Sequence, residues 1–261
     1  LVIADANTNQ RIGRLVDNQL TADLLGQWDI TDRLAVGLHL PVYVEHGGAT
    51  DLTNSSYVGE GWSFGPGDLR LIPRVRIWSF ESGVHLGLAV PVVLPTGRRD
   101  AFMGGGFVGV QPKVLAEVHH GPIRVAANAG INVRKLEVLQ NVRAGHEFAW
   151  SLAGAYFVEK YALPFAIQAG VHGVLGLSGG GVDGGTTPTE VDLGWQAFLR
   201  SGWTLGFTLG RGIIAGVGAP DLRVAINAAY TFEREKVLDR DGDGIIDPAD
   251  GCIDEPEDKD G

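Results

Sequence analysis

From Val16 to Ile30 the chain reads VDNQLTADLLGQWDI. Val16, Leu20, Ala22, Leu24, Trp28 and Ile30 share one parity, while Asp17, Gln19, Thr21, Asp23, Gln27 and Asp29 share the other. Successive side chains of a strand point to opposite faces, so a period of two means one apolar and one polar face. Sustained over fifteen residues, the pattern outruns the roughly 5–6 residues of an ordinary soluble strand. After the turn Thr31-Asp32-Arg33 it resumes at Leu34 and continues to Val44.

The same unit recurs at 69–77, 84–94, 108–118, 123–133, 148–156, 165–175, 191–199, 203–209 and 222–232, giving eleven strands in all. Their connections alternate in length. Those near 31–33, 81–83, 120–122, 159–162 and 200–202 are short, and those near 46–66, 96–105, 135–143, 177–189 and 211–220 are long. Long tilted strands with short turns at one end and long loops at the other are the plan of an outer-membrane β-barrel.

A soluble β-sandwich also alternates, but it places large apolar residues inside. Here the polar parity carries Arg70, Arg74, Arg76, Arg124, Arg134 and Arg223 with Asp17, Asp23, Glu117 and Asp192. A polar inside and an apolar outside is what lipid demands. Trp28, Tyr156, Trp203, Tyr230 and Phe232 fall near the short-turn ends, where an interfacial aromatic girdle belongs. Trp78 breaks the parity, and a bulge near its turn resolves it.

The expected fold is therefore all-β: an antiparallel transmembrane β-barrel over 1–236, followed by an irregular tail over 237–261. Eleven crossings is odd, whereas bacterial barrels use even numbers. One further N-terminal strand is the simplest repair, with Leu1-Val2-Ile3 as its stub and 4–14 as an outer loop.

Charge separates the two parts. Of 31 acidic and 21 basic residues, ten acids and only two bases lie in Asp239–Gly261, so the remainder is close to balance. That balance excludes a nucleic-acid surface. No run of apolar residues is long enough for a membrane helix. Cys252 is the single cysteine and has no internal partner.

The tail begins DRDGDGIIDPADG. With Asp239 as position 1, Asp241 and Asp243 fall at 3 and 5, Gly244 at the sharp turn, Ile245 at the backbone-carbonyl position, Asp247 at 9 and Asp250 at 12. This is a Ca²⁺-binding spacing. Position 12 is Asp rather than Glu and no amphipathic helix flanks the loop, which argues against an EF-hand sensor. The whole stretch DRDGDGIIDPADGCIDEPEDKDG resembles a thrombospondin type 3 repeat. That resemblance implies a calcium-stiffened stalk and a Cys252 that pairs with a cysteine of another repeat.

A barrel followed by acidic Asp-Gly repeats, with LVDNQLTADLLGQWDITDRLAVGLHLPV at the start, resembles OmpA-family outer-membrane proteins of the myxobacterial type. Members of that family continue into a peptidoglycan-binding domain, which this chain lacks. The resemblance implies a barrel among outer-membrane lipids that anchors a periplasmic stalk to the cell wall or to envelope proteins. The alternative is a small porin-like channel, its lumen lined by Arg70, Arg74, Arg76, Arg124 and Arg134 with Asp17, Asp23 and Glu117.

No catalytic site is expected. Gly104-Gly105-Gly106-Phe107-Val108-Gly109 matches G-x-G-x-x-G, but Pro112 and another strand follow where dinucleotide binding needs a helix. Gly176-Leu177-Ser178-Gly179-Gly180 matches a nucleophile elbow without its helix. His119-His120 sits at a short turn, where adjacent side chains point apart rather than converge on a metal.

Overall fold

The computed structural model describes residues 2–4, 11–14, 16–47, 61–99, 101, 103–139, 142–158, 164–177, 187–214 and 220–232. In chain order its strands are β1 (Val2–Ala4), β2 (Arg11–Arg14), β3 (Val16–Asp29), β4 (Leu34–Gly47), β5 (Gly61–Pro66) and β6 (Leu69–Ser79). Then come β7 (Val84–Ala89), β8 (Val92–Leu94), β9 (Gly109–Val110), β10 (Lys113–His120), β11 (Ile123–Asn132) and β12 (Glu137–Leu139). The last six are β13 (Val142–Ala144), β14 (Glu147–Val158), β15 (Phe165–Gly176), β16 (Thr189–Phe198), β17 (Trp203–Ile214) and β18 (Arg223–Tyr230). No helix occurs among the described residues.

Fourteen strands form one antiparallel sheet. Eleven of them make an unbroken path in which chain neighbours are spatial neighbours: β3-β4-β6-β7-β10-β11-β14-β15-β16-β17-β18. These are the eleven segments read from the alternation. β5 attaches to β4, and β8 joins β6 and β9 at the long-loop end. The longest ladders are regular, as in β14 against β15 from Glu147↔Gly176 to Val158↔Phe165 without a slip.

The polarity of the sheet is inverted relative to a soluble protein. The fully covered apolar residues are few, and most are small: Ala89, Ala101, Met103, Ala166 and Ala197. Meanwhile Ile226 is 83 % exposed and Leu193 61 %, and Leu24, Leu38, Leu152 and Ile167 are also exposed on the same face. Each such side chain gives up about 1.5–3 kcal/mol if left in water. A face of this kind is stable only against hydrocarbon, so the sheet is a transmembrane barrel wall and not half of a sandwich. Trp28, Tyr156, Trp203, Tyr230 and Phe232 lie exposed on it at the short-turn end. Trp203, Tyr230 and Phe232 pack in series, the first pair tilted and the second edge-to-face, with centroids 5.2 and 4.6 Å apart.

The register of β6 against β7 slips between Arg76 and Trp78, and this bulge returns Trp78 to the apolar face, where it is exposed. Elsewhere proline interrupts the expected strands. The segment 84–94 divides at Val90-Pro91 into β7 and β8, and the segment 108–118 divides at Gln111-Pro112 into β9 and β10. Proline brings no N–H to the ladder, and its carbonyl remains in use. Pro73 accepts from Val90 N–H at 3.0 Å, Pro91 from Gln111 N–H at 2.8 Å, and Pro112 from Ile131 N–H at 3.1 Å.

Three of the expected loops contain strands, the first being 46–66, which holds β5. Residues 4–14 include β2, which pairs with β1 in a separate two-stranded hairpin outside the main sheet, and the loop 135–143 contains most of the β12–β13 hairpin. Local backbone pairing prevails there because each segment closes on its own neighbour.

The path ends at β3 and β18. No ladder joins them among the described residues, yet Asp23 on β3 lies within electrostatic reach of Arg223 on β18. The two edges thus approach each other on the polar face. The expected boundary at 236/237 and the whole of 237–261 lie outside the described residues.

Candidate functional site

The polar face is the inner wall, and the registers order it into rows that cross the strands. Arg74 faces Ala89, which faces Lys113. Arg70 is four residues from Arg74, about 13 Å along the same strand, and Lys113 lies two strands across, about 10 Å. A second row runs Arg76, Gly87, Leu115, Asn128, Ser151, His172 and Glu190.

On the β14–β18 side the charges are paired. Arg223 holds Glu190 with both nitrogens, Nε to Oε1 at 2.5 Å and Nη2 to Oε2 at 3.1 Å. His172 stands between Glu190 at 3.7 Å and Asp192 at 3.6 Å. Glycines on the adjoining strands make room for these side chains to lie flat. A β-carbon on Gly170 would meet Asp192 Oδ2 at 2.7 Å, and one on Gly210 would meet Glu190 Oε1 at 2.9 Å. This wall is where part of the chain's 39 glycines is spent.

The remaining acids are also taken up. Asp23 meets His39 at 2.6 Å, and Glu117 meets His119 at 2.5 Å. His119 stacks edge-on against His85, which in turn bonds Ser79 at 2.5 Å. Glu147 pairs with Arg134, and Glu45 accepts a hydrogen bond from Gln19. None of these acids reaches Arg70, Arg74 or Arg76 among the described contacts.

Arg70 and Arg74 therefore have no carboxylate among the described residues. The Nε of each is buried without a hydrogen-bond partner. Lys113 is half-buried, and Arg70 repels it as a like charge. Tyr43, from β4, also feels the Arg70 charge. The other two arginines are held differently: Arg76 donates to the Asp32 carbonyl, and Arg124 lies 4.2 Å over the Phe157 ring. A cavity of about 320 Å³ opens between Asp32, Arg74, Arg76, His85, Glu117 and Asn128 at the short-turn end of this wall.

Of the residues expected to line a lumen, Arg70, Arg74, Arg76, Arg124, Arg134, Asp23 and Glu117 all lie on the polar face. Asp17 falls in β3, but its side chain lies outside the described residues. The expected metal residues Asp239, Asp241, Asp243, Ile245, Asp247 and Asp250 lie outside them too, as does Ser178. Among the described residues no group of three His, Cys, Asp or Glu converges as a metal site. Sequence reasoning did not single out Glu190, Glu147 or Lys113. The alternation placed Glu117, Lys113 and Asp192 by parity, but pairing depends on cross-strand register, which parity does not supply.

The fold and its inverted polarity define a β-barrel of the outer-membrane type. The chain belongs to a family described as "Putative MetA-pathway of phenol degradation", whose model matches residues 5–217. Among solved structures it is similar to an outer membrane channel from Pseudomonas putida F1, at 19% identity and a TM-score of 0.54, with 80% of each chain covered. A weaker likeness, at 9% identity and a TM-score of 0.48, is to the NanC porin, covering 80% of this chain and 99% of that one. No curated protein matches.

Proposed function

We propose that the protein is an outer-membrane channel that favours small anionic solutes. One observation carries the reading: among the described residues the inner-wall acids each contact an arginine, histidine, amide or backbone N–H, while Arg70, Arg74 and Lys113 contact no carboxylate. Unpaired cations in a narrow water-filled lumen raise the local concentration of anions and exclude like charge. The fold shared with a protein solved as an outer membrane channel supports conduction. The family description points to phenol degradation, and an aromatic carboxylate fits both that chemistry and the cationic wall. Liposome swelling with benzoate against uncharged phenol tests this. Faster entry of benzoate, reduced by Arg74→Ala, supports the reading, and equal entry in both proteins contradicts it.

Anchoring ranks second. The matched family is not the OmpA family, and the comparisons offer nothing for a cell-wall role. What supports a calcium-binding tail is the Asp239–Asp250 spacing alone, placed in the periplasm if the short turns face that side. Calcium titration of the full chain, compared with Asp241→Asn/Asp243→Asn, tests it: loss of binding in the variant is expected, and no binding by either chain contradicts it. No catalytic role is proposed.

A further inference from the structure

The run Gly104-Gly105-Gly106, which mimics a nucleotide motif without its fold, has a structural use. The described residues of the connection between β8 and β9, 95–99, 101 and 103–108, fold back over the inner face of β4 instead of projecting beyond the sheet. Ala101 and Met103 are each 2 % exposed, and Pro41, on the inner face of β4, is fully buried. The Met103 carbonyl lies over Gly67, where a β-carbon would meet Tyr43 at 2.3 Å, Pro41 at 2.7 Å and that carbonyl at 3.0 Å. Gly97 and Gly104 touch backbone to backbone: a β-carbon on either comes within 2.9 or 2.8 Å of the other's Cα.

Asp68 joins the two limbs of this loop. Its carboxylate is buried at 9 % exposure and accepts from Gly97 N–H at 3.0 Å on Oδ1 and from Gly105 N–H at 2.7 Å on Oδ2. Thr96 fixes the base, donating to the Gly67 carbonyl at 2.8 Å and accepting from Leu69 N–H at 2.9 Å. A β-carbon on Gly104 would strike Asp68 Oδ1 at 2.4 Å, so the glycine run is what lets the carboxylate reach both limbs.

We propose that residues 95–99, 101 and 103–108 form the constriction of the conduit and that Asp68 is the positioning residue that holds them inward. The proposal rests on the channel reading above. A barrel of about a dozen strands leaves little lumen once wall side chains are in place, so a folded-in loop takes up much of what remains. The loop also carries Arg98 and Arg99. Arg98 Cδ comes within 3.5 Å of a β-carbon placed on Gly65, so the constriction adds basic residues on the side that bears Arg70.

The test uses the full chain with Cys252→Ser, folded in detergent and checked by heat-modifiable gel migration. Asp68→Asn turns an amide donor toward one of the two glycine N–H groups and breaks half the latch. Single-channel conductance is expected to rise about two-fold or more as the open cross-section grows. Adding Gly65→Cys and Met103→Cys and oxidising the pair pins the loop back and returns conductance to the parent value. A second readout does not depend on conduction: Met103→Cys reacts slowly with a water-soluble maleimide when Asp68 is present and rapidly with Asp68→Asn. Equal reaction rates overturn the latch whether or not the barrel conducts. A faster rate in the variant with no conductance in any protein supports the latch and overturns the channel reading. A conducting parent whose conductance is unchanged in Asp68→Asn overturns the constriction role.

Discussion

The two halves of the inner wall are built differently. From β11 to β18 the ladders are long, with a single slip at Thr189/Glu190, and the charges they carry are held, with Arg223 on Glu190, Arg134 on Glu147, Arg124 over Phe157 and His172 between two acids. From β4 to β10 the ladder is cut by Pro41, Pro73, Pro91 and Pro112. A loop lies folded against the wall there, and Arg70 and Arg74 stand without a carboxylate among the described residues. A regular ladder brings opposite charges side by side at fixed spacing, so pairing follows. A broken ladder sends neighbouring strands to different partners, as when β8 leaves β7's line, and cations can remain uncompensated. The matched half serves as scaffold, and the unmatched half sets the field.

The sharpest way to break this contrast is charge reversal on the unmatched side. Arg70→Glu/Arg74→Glu is expected to convert an anion-preferring conductance into a cation-preferring one, read as the sign of the reversal potential in a salt gradient. An unchanged sign would mean the field is set elsewhere. Next in size is the contrast between faces within one strand. Leu152→Arg places a charge on the lipid face near mid-strand and is expected to cost about 2–4 kcal/mol of stability in urea unfolding. Ser151→Arg, its inward neighbour opposite His172, is expected to leave stability within about 0.5 kcal/mol and to strengthen anion preference. Equal costs for the two would refute the inverted polarity.

On the matched side, Glu190→Gln weakens the Arg223 contact and is expected to cost about 1–2 kcal/mol, moderated because Arg223 is half exposed. It should also shift selectivity modestly toward anions, since it uncovers one more cation. The smallest effect is expected from His39→Ala, whose partner Asp23 is 47% exposed. Denaturation should move by no more than about 0.5 kcal/mol, and a larger shift would show that the Asp23 edge is more tightly held than the contacts indicate.

Period-two alternation was enough to read the eleven strands, the apolar outer face and the return of Trp78 through a bulge, because each depends only on local parity and turn spacing. The splits at Pro91 and Pro112 were legible in principle, since proline has no N–H, but the hydrophobic pattern continues straight through both residues. The β5 strand was hidden in what reads as a loop, Trp62-Ser63-Phe64 being too short a run to stand out. The pairings of the inner wall could not be read at all. Arg74 and Arg223 look alike in sequence, and only the register shows that one meets Glu190 and the other meets Ala35 and Ala89. Asp68 was invisible for a similar reason, since its partners are backbone groups 29 and 37 residues away.

The central claim is that unpaired cations on the β4–β10 side set selectivity. Its most direct test is the reversal potential of the full chain in a planar bilayer under a salt gradient, with Arg74→Ala alongside. An anion-selective potential that moves toward zero in the variant is the predicted result. A cation-selective potential, or no current from a barrel shown to be folded, would contradict it.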